Sequence, residues 1–203
     1  MSNSFGVLIG LASALLIYPG GEPSWHAEDI RGRETPLVWG SSPTIVIFYG
    51  PFACRDCYYT LSSALAQLNS DSSGIKIIAL MRARGISARR TLITQAQPIL
   101  PPSTKYSFDV LDTLDDSWPP KNLRSGLWGF FNVSFAPAVL ILSPGNPVRY
   151  KFLSYVALFD SSRQSTKDLN GTKVTTFEDL SKTKVVALLR ASLEEISDQE
   201  LQR

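Results

Sequence analysis

The chain is poor in the side chains from which most metal and acid–base sites are built. Its 203 residues hold one histidine, His26, and two cysteines, Cys54 and Cys57. A single imidazole excludes sites that need several. A zinc centre would have to combine both cysteines, His26 and carboxylates, an unusual donor set, so no metal site is expected. Two cysteines cannot staple a miniprotein, and a chain of this length does not need stapling. An excess of one charge is also missing. The 20 basic and 18 acidic side chains leave a net charge of +2, which argues against nucleic acid as a partner. No phosphate-binding loop, Ser/His/Asp order or metal-ligand cluster is visible, so hydrolase and nucleotide chemistry have no motif behind them. With 44% hydrophobic and 19% charged residues, the composition is that of one globular domain.

Long apolar runs are scarce, and the exception is at the amino terminus. Phe5 to Tyr18 (FGVLIGLASALLIY) carries no charge. It falls short of the ~20 residues of a membrane-spanning helix and has the length of a signal-peptide core. Residues 1–21 are therefore expected to be a signal peptide or short membrane anchor, and residues 22–203 the folded domain. Against this stand the lack of Lys or Arg before Arg31 and of a small-x-small cleavage site; a buried amino-terminal helix is the alternative. Export would place the domain in the periplasm or another extracytoplasmic compartment, with possible membrane association through residues 5–18.

Past Gly20 to Ser42, a Gly-, Pro- and charge-rich loop with room for a short hairpin, the chain alternates strand and helix signals. Thr44 to Tyr49 (TIVIFY) is an unbroken apolar run suited to a strand buried on both faces. Leu61, Ala64, Leu65 and Leu68 then follow helical spacing and predict a helix over Tyr58 to Asn69. Ile75 to Met81 is a second buried strand, Ser87 to Ala96 a short helix, Phe108 to Leu111 a third strand and Lys121 to Phe131 a helix. Ala138 to Leu142 and Val148 to Phe152 flank Ser143-Pro-Gly-Asn-Pro147, a tight connection that predicts antiparallel pairing. Residues 154–175 are a polar insertion. A last helix is expected from Thr175, where Thr175-x-x-Glu178 has the form of a capping box. This order implies an α/β fold, a mixed central sheet with helices on both faces.

Cys54-Arg55-Asp56-Cys57 lies directly between the first buried strand and the first helix. There Cys54 would meet the unpaired N–H groups and positive dipole of a helix start, which stabilise a thiolate. Two intervening residues let one turn bring both sulfurs within bonding distance. Cys54 is then the catalytic nucleophile in disulfide exchange and Cys57 the resolving thiol. A static disulfide, a two-thiolate metal site and a pair of inert thiols are the bland alternatives, and the strand–helix context favours redox chemistry. Arg55 should stabilise a Cys54 thiolate and Asp56 should oppose it, so both are candidate pKa-tuning residues.

These residues resemble the thioredoxin superfamily, in particular the TlpA/ResA-like exported thiol–disulfide oxidoreductases and their redoxin relatives. The resemblance covers about Glu28 to Tyr150. Glu28 to Leu37 is similar to the hairpin that leads into the first core strand, and TIVIFYGPFACRDC to the strand, loop and cysteine pair. Asp109 to Asp112 is similar to the strand end before the third helix. Gly129 to Pro137, with AVLIL and SPGNPV after it, resembles the proline loop, its strand and its turn. The resemblance implies a thioredoxin-like fold and exchange of disulfides with protein thiols and a redox partner protein, with no diffusible cofactor. It also implies a cis bond before Pro137, and that Ala136 and Pro137 bind substrate by offering backbone to an extended peptide.

Three positions depart from the family. Ala53 stands where Trp is frequent, Asp56 where Pro or His is common, and Phe48 where many members carry a buried polar residue six positions before the first cysteine. A proton relay would then need another acid, with Glu34 and Asp112 as candidates. These departures and the insertion also fit a non-catalytic thioredoxin-like module of an envelope complex. A redoxin-type peroxidase is disfavoured by Pro51, where peroxiredoxins place Thr or Ser. Arg82, Arg84, Arg89 and Arg90 read as a solvated helix face, with docking to an acidic partner or anionic membrane as the alternative. Trp128, Phe130 and Phe131 read as core.

Overall fold

The computed structural model describes residues 26–37, 42–50, 55–71, 74–110, 126–131, 133, 136–143, 149–154, 175–176 and 181–201. In chain order the elements are β1 (His26–Glu28), β2 (Glu34–Pro36), β3 (Thr44–Phe48), α1 (Arg55–Asp71), β4 (Lys76–Met81), α2 (Ile86–Ala96), β5 (Lys105–Phe108), α3 (Gly126–Phe130), β6 (Ala138–Ser143), β7 (Arg149–Ser154), β8 (Thr175–Thr176) and α4 (Lys182–Leu201). The strands among the described residues form one sheet in the order β2-β1-β5-β4-β3-β6-β7-β8. The expected leader over residues 1–21 and most of the 154–175 insertion lie outside the described residues. No helix among the described residues is long and apolar enough to cross a membrane.

The sheet is built on its most apolar strands. All five side chains of β3 are buried, as are all of β4 beyond the half-buried Lys76. β3 runs parallel to β4, from Thr44 opposite Lys76 to Phe48 opposite Leu80, and antiparallel to β6. β6 in turn pairs antiparallel with β7, as the tight connection between them predicts. Strands buried on both faces require cover on both faces, and the helices supply it. α1 and α4 pack on each other, and α4 also lies against β6 and β7. Phe48 packs its ring against Trp128 of α3 at a centroid distance of 5.5 Å. The core series β4-β3-β6-β7, parallel between the first two and antiparallel thereafter, is the thioredoxin-like α/β arrangement that the resemblance implies.

Three boundaries differ from the sequence-based expectations, each for a local reason. α1 starts at Arg55 rather than Tyr58, because the buried Cys57 and Tyr58 continue the Leu61–Leu65–Leu68 stripe one turn earlier. β5 covers Lys105–Phe108 rather than Phe108 to Leu111. It leaves the ladder at Asp109, whose backbone N–H still donates to Met81 O at 2.8 Å while its carboxylate turns to α3. Of the helix expected over Lys121 to Phe131, the described part is α3, and residues 121–125 lie outside the described residues. Thr175 opens no helix: Thr175 and Thr176 pair in parallel with Leu153 and Ser154 as β8, a placement suited to β-branched residues, and α4 starts at Lys182.

The hairpin β1–β2 is present, and a buried cation ties it to the sheet. Arg89 of α2 pairs with Glu28, donates to Asp29 O at 2.6 Å and to Ala83 O at 3.1 Å, and lies over the Phe108 ring at 4.8 Å. Arg82 is also buried, its Nε 4.0 Å from Asp109 Oδ2. A solvated arginine face is therefore the wrong description of Arg82 and Arg89. Their guanidinium groups join elements, and only the exposed Arg90 suits it.

Candidate active site

β3 delivers the chain to the end of the sheet where α1 begins. Tyr49 continues beside β4, its N–H donating to Leu80 O at 3.0 Å, and Gly50 follows, also buried. A side chain at Gly50 would meet Trp128 at 3.6 Å and Ala136 Cβ at 3.7 Å. Gly50 thus lies against the residue that precedes Pro137, and the Ala136–Pro137 bond is cis. Ala136 and Pro137 are both buried. Cys54 lies outside the described residues. Arg55 and Asp56 open α1 on its exposed side, and Cys57 in the same first turn is 1% exposed. Among the described residues there is no free cysteine. The structure therefore brings the start of the Cys57 helix, the end of β3 and the Ala136–Pro137 loop to one place.

The two polar residues between the cysteines sit in water. Arg55 lies over the ring of Tyr59, its guanidinium carbon 5.5 Å from the centroid, and donates to the Tyr59 hydroxyl at 3.1 Å. Asp56 occupies the first turn of α1, where a carboxylate is favoured by the unpaired N–H groups of the helix start.

The polar side chain at the end of β3 is Tyr58, which the sequence marks only as the start of a helix. Its ring is buried and packs on Tyr49 at 4.9 Å. Its hydroxyl accepts from Gly50 N–H at 2.8 Å and reaches the carbonyls of Phe48 and Gly50 at 3.3 and 3.4 Å. Burial pushes its ionisation well above the ordinary tyrosine range. A signal for this was present: Tyr58 stands three and seven residues before Leu61 and Leu65, on the buried stripe, where a hydroxyl must find a partner.

Phe48, six positions before Cys54, is fully buried, with Trp128, Phe131 and Phe152 around its ring at 5.5, 6.1 and 5.9 Å. Trp128 and Phe131 are core, as expected. Of the two acids named as relays, only Glu34 is among the described residues, and it lies away from the site. Glu34 lies on the edge strand β2, four strands from β3 and so ~19 Å across the sheet. There its Oε1 is 2.6 Å from His26 Nδ1. Asp112 lies outside the described residues. The buried acid at this end of the sheet is Asp109, two strands from β3. It accepts from Leu127 N–H at 2.8 Å and Trp128 N–H at 3.0 Å. Burial raises its pKa to about 6, although both amides and Arg82 favour the charged form. Gly126 makes that contact possible, because its φ of 64° suits glycine and a Cβ there would collide with the carboxylate. Among the described residues no three His, Cys, Asp or Glu side chains gather where a metal ion would sit.

No protein-family model matches the chain, and no curated protein does. Several solved structures are distantly similar. A thioredoxin-like protein from Aeropyrum pernix is 15% identical, with 82% of this chain and 89% of that one aligned at a TM-score of 0.43. A secreted disulfide oxidoreductase of Mycobacterium tuberculosis, homologous to E. coli DsbE, is 13% identical over 82% of this chain and 95% of its own, at 0.40. StoA from Bacillus subtilis is 11% identical over 66% and 90%, at 0.39. Likenesses this remote carry no argument about activity. On the order and direction of its own strands, the chain has a thioredoxin-like fold.

Proposed function

We propose that the chain is a thiol–disulfide oxidoreductase that exchanges disulfides with protein partners through Cys54 and Cys57. The observation that supports this best is that Cys57 is buried in the first turn of α1, next to Tyr58, whose hydroxyl accepts from Gly50, the residue that abuts Ala136 beside Pro137. Cys54 and Cys57 are the two cysteines of the chain, separated by two residues, and they are read as one redox pair.

In the reducing direction the Cys54 thiolate attacks a client disulfide. A mixed disulfide forms and one client sulfur leaves as a thiolate. Cys57 gives up its proton and attacks Cys54 Sγ. The Cys54–Cys57 disulfide forms, and the second client sulfur leaves. Two electrons pass from the pair to the client, and two protons complete its thiols. The reverse sequence oxidises a client dithiol. The start of α1 favours the Cys54 thiolate, with Arg55 reinforcing it and Asp56 opposing. Ala136 and Pro137 present backbone to the client chain. No diffusible cofactor enters either step. An extracytoplasmic location follows from the apolar run Phe5 to Tyr18, read as a signal peptide or short anchor.

Trapping tests these roles. Cys57→Ser should accumulate a covalent complex with a disulfide-bearing client, released by dithiothreitol, and Cys54→Ser should not. Equal trapping by both variants would overturn the role assignments. Trapping by neither would favour a non-catalytic module.

A further inference from the structure

We propose that Tyr58 is a positioning residue for this exchange, a role that rests on the redox reading above. Its buried hydroxyl clamps Gly50, at the end of β3, to the helix turn that carries Cys57.

A phenol has one proton to give and lone pairs to accept with. Here the Tyr58 hydroxyl accepts from Gly50 N–H, and its proton serves Phe48 O or Gly50 O. Every described partner of this hydroxyl belongs to the end of β3, and none lies elsewhere in the core. Gly50 and Tyr58 flank the cysteine segment, eight residues apart. Gly50 also abuts Ala136, so the same bond holds the residue that faces the proline loop.

The link to redox chemistry is geometric. A disulfide demands a Cα separation of about 4.4–6.8 Å, whereas two thiols demand none. A bond that holds Gly50 to the Cys57 turn narrows the separations open to the two cysteines, which costs a disulfide little and a dithiol more. It biases the pair towards the disulfide. A hydroxyl serving stability alone would support both forms equally.

The experiment is the glutathione equilibrium of the full chain, in which the Cys54–Cys57 disulfide and two reduced glutathiones give the dithiol and one oxidised glutathione. It is run on the wild type, Tyr58→Phe and Ile78→Val. Tyr58→Phe keeps the ring and removes the hydroxyl. Ile78→Val trims a fully buried core side chain and serves as a control for lost stability. Tyr58→Phe should shift the equilibrium towards the dithiol by up to about tenfold, the ceiling set by the net worth of one hydrogen bond. Ile78→Val should leave it in place. A Tyr58→Phe equilibrium no different from that of Ile78→Val, or shifted towards the disulfide, overturns the positioning role and leaves the redox reading standing. A wild-type pair that forms no disulfide in any buffer overturns both.

Discussion

At the end of the sheet where the cysteine helix begins, two junctions hold the surrounding elements, and they are made of different chemistry. On the β3 side the junction is neutral: the Tyr58 hydroxyl meets backbone groups of Phe48 and Gly50, with aromatic rings around it. On the β5 side it is ionic: Arg89 pairs with Glu28, and Asp109 lies between Arg82 and the first amides of α3. A neutral hydroxyl–amide bond contributes modestly and is indifferent to pH across the physiological range. Buried charges gain little net from pairing because desolvation offsets it, yet they lose heavily when one partner goes, and they titrate. The contrast places the pH-dependent part of the structure beside the proposed redox pair rather than within the bonds that shape it.

The largest expected effect lies on the ionic side. Arg89→Ala leaves Glu28 without its partner, removes donors from Asp29 O and Ala83 O, and uncovers Phe108. It should cost about 3 kcal/mol in urea unfolding, the lower end for a broken buried pair because Glu28 is part-exposed. A loss below about 1 kcal/mol would mean that the ionic junction is ornamental.

Asp109→Asn sharpens the comparison through pH. With its pKa raised from 3.8 to about 6, the folded chain holds a proton between those values that the unfolded chain has released. The stability owed to this group is full at the acid end, falls as pH rises from about 4 to about 6, and is flat beyond. The difference in unfolding free energy between wild type and Asp109→Asn should therefore shrink by about 2 kcal/mol from pH 4 to pH 7. A difference that is constant or grows with pH would contradict the raised pKa.

The smallest effect belongs to the neutral side. Tyr58→Phe should cost about 1 kcal/mol, equally at pH 4 and pH 8. A pH-dependent cost would erase the distinction between the junctions.

What was legible in the sequence is what repeats along it. The buried strands, the Leu61–Leu68 stripe and the antiparallel β6–β7 pair follow from periodicity and turn residues, and the structure contains them. Thr175-x-x-Glu178 has the form of a helix start, yet Thr175 joins Leu153 across the sheet, because tertiary pairing overrides a short local signal. Arg82 and Arg89 looked like a solvated face because their partners, Asp109 and Glu28, are distant in sequence, and charge spacing along a helix says nothing of such pairs. The cysteine pair was visible at once; the Tyr58–Gly50 contact that frames it was not, since a backbone amide leaves no mark in the sequence.

The reduction potential of the Cys54–Cys57 pair tests the redox reading most directly, by thiol trapping in glutathione buffers of graded poise. A value between about −120 and −270 mV, the range of working exchange catalysts, is the expected result. A value well below about −300 mV would mark a structural disulfide and contradict it, as would a pair that never oxidises.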